Sequence, residues 1–274
     1  MEKNQNKYYN QKYEKDNKKE EASDAGYGGV VCGRNPVAEL LKSGRSVDKL
    51  FVAKGRREGS ITAIVAEALD RRIPVIETDR NKLDALSGGM PHQGVAAMTA
   101  EKDYKELDEL IAEIESRQSG KKPLIVIADG IEDPHNMGAL IRTAECSGAD
   151  CLIIPKRRSV GLTPVVAKAA AGALEYLPIV KTPNLAQVAD KLKARGYWIF
   201  VAEPGGSDYA KADYTVPAVI IFGGEGSGVS RLLKEKSDFI VSIPVYGKIN
   251  SLNVSNAAAV ILYEAAKQRN NVNI

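Results

Sequence analysis

Leu124-Ile125-Val126-Ile127-Ala128-Asp129-Gly130-Ile131-Glu132-Asp133-Pro134-His135-Asn136-Met137-Gly138-Ala139-Leu140-Ile141-Arg142-Thr143-Ala144 decides the fold class of this chain. The opening run is apolar without alternation, the pattern of a strand buried on both faces. It turns at a proline and enters a helix with a cap expected near Asn136. Comparable apolar runs recur at 151–154, 197–202, 216–222 and 239–243, with helical stretches between them and a final helix expected over 254–269. Strands alternating with helices in this way predict an α/β domain over 123–274, built on a mainly parallel sheet. No internal repeat interrupts it.

Upstream, the texture changes twice. Residues 1–26 contain no Val, Ile, Leu or Phe, so they cannot bury enough apolar area to offset their ordering entropy and are expected to be a disordered tail. Residues 27–100 predict a second, smaller β/α unit. Val30-Val31-Cys32 leads to an expected cap at Asn35 and a proline at the first helical position, followed by a strand over 47–52. A helix opening at Ser60 places Ile61, Ile64, Val65, Ala68 and Leu69 on one face. Segments 74–76, 83–86 and 94–98 complete the unit. Between the two blocks, Tyr104, Leu107, Ile111 and Ile114 at helical spacing predict an amphipathic connecting helix within 101–122.

Composition narrows the function classes. The chain is 274 residues long, 44% hydrophobic and 27% charged, which is ample for buried cores without disulfide or metal staples. A net charge of +3 is too small to identify a nucleic-acid partner, so any basic surface must be local. The clusters Lys54-Gly55-Arg56-Arg57, Arg71-Arg72 and Lys156-Arg157-Arg158 offer such patches, although each could equally be a solvated surface. Three scattered cysteines and two histidines provide neither a disulfide framework nor a metal-ligand cluster. Apolar runs are too short to span a bilayer and no secretory h-region opens the chain, so a reducing cytoplasm is the expected compartment.

Two further segments carry chemistry. Phe222-Gly223-Gly224-Glu225-Gly226-Ser227-Gly228-Val229-Ser230 follows a strand, fits neither a dinucleotide fingerprint nor a P-loop, and holds a glutamate among glycines. That register removes a dinucleotide-dependent oxidoreductase from consideration. Ile243-Pro244-Val245-Tyr246-Gly247-Lys248-Ile249-Asn250-Ser251-Leu252-Asn253-Val254-Ser255-Asn256-Ala257-Ala258 ends a strand at a proline and opens a helix of small residues, with Ser251 or Asn253 as its cap. Taken singly, each segment could be a cap or a tight loop.

In this order, the three segments resemble the signature motifs of the SpoU family, the TrmH-type RNA ribose 2′-O-methyltransferases, over roughly 121–270. Gly33-Arg34-Asn35-Pro36-Val37 and Pro91-His92-Gln93-Gly94-Val95 resemble the subgroup that modifies guanosine in large-subunit rRNA and carries an L30e-like RNA-binding domain. The resemblance implies a SPOUT-type fold with a deep trefoil knot, a homodimer, and S-adenosylmethionine as methyl donor. It implies donor binding by Gly223, Ile243 and Leu252, with Ala202 and Glu203 as weaker candidates. It places Asn136, Arg142, Glu225 and Asn253 around the ribose 2′-hydroxyl, with Glu225 holding Arg142. Transfer of a sulfonium methyl needs neither a metal nor a covalent intermediate. Arginine is too weak an acid to serve as a base, so Arg142 is expected to fix an RNA phosphate and stabilise the forming alkoxide. RNA contacts are expected at Lys54, Arg56, Arg57, Arg157 and Arg158. Two alternatives stay open at this point: a tRNA substrate, or a non-catalytic RNA-binding or ribosome-assembly protein.

Overall fold

A computed structural model describes residues 27–55, 59–117 and 120–270. The expected tail over 1–26, and Arg56 and Arg57 of the first basic cluster, lie outside the described residues.

The front unit is a four-stranded sheet of β1 (Tyr27–Cys32), β2 (Val47–Ala53), β3 (Val75–Thr78) and β4 (Val95–Lys102), in the order β1-β4-β2-β3. Helices α1 (Arg34–Lys42), α2 (Ser60–Asp70) and α3 (Arg80–Leu86) connect the strands. On α2, Ile61, Ile64, Val65 and Ala68 are buried as expected, but Leu69 is exposed at the margin of the apolar stripe. Helix α1 starts before the expected cap: Gly33 is the N-cap, and the side chain of Gln93 accepts from the Arg34 amide at 3.0 Å. Arg71, offered above as an RNA contact, instead donates to the carbonyls of Leu41 and Arg45 and ties α2 to the end of α1.

The second unit is a six-stranded, wholly parallel sheet in the order β10-β8-β9-β5-β6-β7. Its strands are β5 (Leu124–Asp129), β6 (Cys151–Pro155), β7 (Ile179–Thr182), β8 (Trp198–Asp208), β9 (Ala218–Gly223) and β10 (Phe239–Ser242). Helices α5 (Pro134–Cys146), α6 (Pro164–Ala170), α7 (Leu185–Ala194), α8 (Arg231–Lys236) and α9 (Val254–Arg269) cover the faces. Helix α4 (Leu107–Ser116), expected as a connector, buries Leu110, Ile111 and Ile114 in the apolar layer formed by β5, β6 and α7. The residues ahead of it also join this sheet, because Lys105 bridges Val180 of β7 in parallel.

One apolar core runs through both units. Val31, Val37 and Leu40 of the front unit belong to the same buried cluster as Val166, Ala170 and Leu174 of the second. A nearly buried ion pair, Arg45 to Glu175 at 3.1 Å, and a Tyr176 hydroxyl bond to Glu39 at 2.8 Å reinforce the joint.

All three cysteines are free, Cys32 and Cys151 buried and Cys146 exposed. Burial pushes the Cys32 thiol up to about 11 and raises Cys151, while burial and the Glu145 carboxylate raise Cys146 more mildly. A thiolate is the reactive form. Ellman's reagent should therefore titrate one thiol in the native protein, faster as pH rises above neutral, and all three in denaturant. Rapid native release of more than one would contradict this packing. No described helix is long and apolar enough to cross a membrane.

Candidate functional site

Strands β5 and β9 are neighbours, with Asp129 opposite Gly223, and the sheet's strand order reverses between them. The carboxyl ends of strands at such a switch point leave a crevice into which two loops project. Here the two loops are stitched together: the Asp129 carbonyl accepts from Gly224 N, and its carboxylate from Ser230 N, each at 2.8 Å. Gly224 is buried against the other loop, and a Cβ on it would collide with the Gly130 carbonyl oxygen. A side chain at 224 would force the two backbones apart, which is why this position of the loop is glycine.

A cleft of about 630 Å³ opens beside this junction, within the usual range for ligand sites. Gly223, Ile243, Leu252, Ala202 and Glu203, the expected donor-binding residues, all line it. Its lining includes the carboxylates Glu203 and Glu225 but neither lysine nor arginine, which suits a cationic ligand that lacks phosphates. The Glu203 carboxylate is itself engaged, accepting from Val229 N at 3.2 Å and from the Lys234 ammonium at 3.0 Å. It braces the glycine loop from behind.

Three of the four expected catalytic residues meet at the mouth. Asn136 donates its side-chain amide to Glu225 Oε1 at 2.8 Å. Asn253 donates Nδ2 to the same oxygen and to Asn136 Oδ1, both at 3.0 Å. Asn253 also caps α9, its Oδ1 accepting from Ser255 N at 2.9 Å. The cap of α5 is Asp133, not Asn136: Asp133 Oδ1 accepts from the Asn136 amide at 2.8 Å, which leaves the Asn136 side chain to serve the site. Among the described residues, no hydrogen bond uses Glu225 Oε2, so an acceptor stands at the mouth.

Arg142 does not join this triad. Glu225 meets the two amides through Oε1, and the Arg142 guanidinium lies instead beside the Cys146 thiol one turn further along. The reason is helical geometry: six residues rotate the side chain about 240° from Asn136 and advance it about 9 Å along the axis. Of the basic residues, Lys54 pairs with Asp79 at 3.3 Å, and Arg157 and Arg158 are exposed on the loop between β6 and α6. Sequence reading also missed Asp129, which clamps the glycine loop, and Asp133. Asp129 ends an apolar strand and Asp133 stands just before the proline that opens the helix, the places where loop clamps and caps are to be sought.

Comparison with known proteins agrees with this geometry. The profile of the SpoU rRNA methylase family matches residues 123–263, and that of an RNA 2′-O ribose methyltransferase substrate-binding domain matches 30–105. A protein named as a TrmH-family tRNA/rRNA methyltransferase in Staphylococcus haemolyticus is 43% identical over 246 residues, covering 89% of this chain and 97% of that one. A counterpart in Staphylococcus aureus is 40% identical over the same shares. Among solved structures, the SpoU methyltransferase AviRb of Streptomyces viridochromogenes, in complex with S-adenosylmethionine, superposes with a TM-score of 0.72 at 28% identity, covering 89% of this chain and 91% of that one. An RNA 2′-O ribose methyltransferase gives 0.72 at 26%, covering 88% of each. The chain belongs to the SpoU, or TrmH-type, family of S-adenosylmethionine-dependent RNA 2′-O-methyltransferases.

Proposed function

We propose that this enzyme methylates the ribose 2′-hydroxyl of a specific nucleotide, a guanosine, in large-subunit rRNA. The observation that carries the reading is the Asn136–Glu225–Asn253 network at the mouth of a cleft without lysine or arginine. When bound, S-adenosylmethionine supplies an electrophilic sulfonium methyl. The chain's own task is to orient and activate the hydroxyl. The amides of Asn136 and Asn253 fix Glu225, and Glu225 Oε2 is left to accept the hydroxyl's hydrogen bond. Arg142, offset along α5, fixes an adjacent phosphate and so lowers the cost of the alkoxide. Gly223, Ile243, Leu252 and Ala202 hold the donor largely through backbone and apolar contacts, with Glu203 supporting the wall.

The front unit, read as L30e-like, recruits the RNA with Lys54, Arg56 and Arg57, while Arg157 and Arg158 flank the cleft. The match of 30–105 to a substrate-binding profile supports this division of labour over 27–100 and 123–274. The resemblance in the three motifs also supports a homodimer and a trefoil-knotted course for the segments that follow β9.

The test is methyl transfer from labelled donor to unmodified large-subunit rRNA, small-subunit rRNA and tRNA. Label is expected in large-subunit rRNA as an alkali-resistant dinucleotide, and Arg142→Ala should lower it by about tenfold to a hundredfold with donor affinity kept. Label confined to tRNA would overturn the substrate. An Arg142→Ala enzyme as fast as wild type would remove Arg142 from the mechanism.

A further inference from the structure

The loop between β6 and α6 carries Lys156-Arg157-Arg158 past the loop that follows β5, and it is held along its length. At its start, Lys156 N donates to the Thr182 carbonyl at 2.7 Å. In its middle, Val160 N donates to the Ile131 carbonyl at 3.0 Å, in the segment that leads to the Asp133 cap and Asn136. Towards its end, Leu162 N donates to the hydroxyl of Tyr104 at 3.0 Å. Thr163 then caps α6 through Val166 N at 3.2 Å. Between these anchors Arg158 has φ +57°, a left-handed backbone that a side chain of this size seldom adopts unless its surroundings enforce it.

Tyr104 lies outside the loop, partly buried against the apolar core. It sits between β4 of the front unit and helix α4, in the segment joining the two units. That segment is itself fixed: Lys105 N donates to the Ile179 carbonyl at 2.8 Å, and the Lys181 ammonium lies 5.0 Å from the Tyr104 ring centroid. A single hydroxyl thus connects the strand leaving the front unit to the basic loop beside the mouth.

We propose that Tyr104 is a positioning residue for substrate RNA, its hydroxyl holding loop 156–163 so that Arg157 and Arg158 meet a phosphate of the strand that enters the cleft. Tyr104 touches neither donor nor ribose. It acts through the loop. The bond to Leu162 N fixes the far side of the loop, and the left-handed turn at Arg158 directs the exposed arginines outward. Loss of the hydroxyl releases the Leu162 end of the loop and leaves the Val160 bond to Ile131 as the remaining anchor on that side of the turn, so the cations stand less firmly placed. This rests on the RNA-methylating function proposed above.

The experiment uses the full chain as wild type, Tyr104→Phe, Arg158→Ala and the double variant. Tyr104→Phe keeps the ring and its cation contact and removes no charge. Binding of a short fluorescent RNA of mixed sequence is followed against salt, because each neutralised phosphate contributes about 0.7–0.9 to the slope of log K against log salt. Arg158→Ala is expected to flatten that slope by about this amount. Tyr104→Phe, although neutral for neutral, should flatten it comparably, and the double variant should go no further. In the transfer assay, the KM for RNA should rise about threefold to tenfold in Tyr104→Phe, with kcat and donor affinity unchanged. An unchanged slope in Tyr104→Phe, or additive losses in the double variant, would overturn the proposal. Wild type that binds RNA but transfers no methyl group would instead strike the functional reading, while the salt slopes still decide the role of Tyr104.

Discussion

Gly224→Ala should weaken donor binding by about a hundredfold or more and lower methyl transfer with it. The glycine backbone lies against the Gly130 carbonyl, and the loop anchored there forms one wall of the cleft. A methyl group at 224 cannot rotate out of the way, because its obstacle is backbone rather than the end of a side chain. Over-packing of this kind costs about 3 kcal/mol when the neighbours must move. Displacing the loop to relieve it would break the bonds from Gly224 N and Ser230 N to Asp129. If the strain is charged to the ligand-ready state, donor affinity falls by about a hundredfold or more. Calorimetric titration with S-adenosylmethionine measures this directly. Affinity within about threefold of wild type would mean that the glycine loop does not shape the donor site.

Glu225→Ala is expected to reduce transfer by about a hundredfold to a thousandfold while donor affinity changes little, the loss typical of removing one pre-oriented polar group from an active site. Its Oε1 accepts from both Asn136 and Asn253, so truncation leaves two amides without their common partner. Hydrogen bonds to a charged acceptor are each worth about 1.5–3 kcal/mol. Glu225→Gln separates the two contributions of the residue. Its carbonyl can still accept both amides, so the geometry survives while the charge and the acceptor at Oε2 go. A loss of about tenfold for Gln is expected if positioning dominates. Gln as harmful as Ala would assign the effect to the carboxylate's charge and its free acceptor oxygen, and an active Ala variant would remove Glu225 from the site altogether.

Much of the fold was legible because burial on both faces writes an unmistakable pattern. Strands β5, β6 and β9 are runs of aliphatic residues, and each falls within a residue or two of its expected place. Strand β7 escaped notice because it is four residues long, lies at the sheet edge and ends in Lys181-Thr182. Strand β8 runs on to Asp208 through Pro204-Gly205-Gly206, a stretch that locally signals a turn. It continues because β10 pairs with it across an irregular register, and the missing side chain of Gly206 admits the Ile240 carbonyl, which a Cβ would approach to 2.5 Å. Such long-range accommodation leaves no local trace.

The site divides in the same way. Its three segments stood out individually, but only the fold shows that Asn136, Glu225 and Asn253 share hydrogen bonds over sequence separations of 117, 89 and 28 residues. The expected Glu225–Arg142 pair failed because six residues of helix turn Arg142 about 240° away from Asn136, which is the residue that meets Glu225.

The apolar core shared by the two units has a mechanical consequence. A front unit on a loose tether would act as a fishing line, bringing many nucleotides within reach of the cleft. Here the joint is filled by Val31, Val37, Ala170 and Leu174 and latched by Arg45 and Glu175. The chain is therefore a calliper of fixed span. Under the proposed function, the nucleotide to be modified is chosen by its distance from the RNA feature gripped at the other jaw, so the identity of its neighbours matters less than the length of RNA between them.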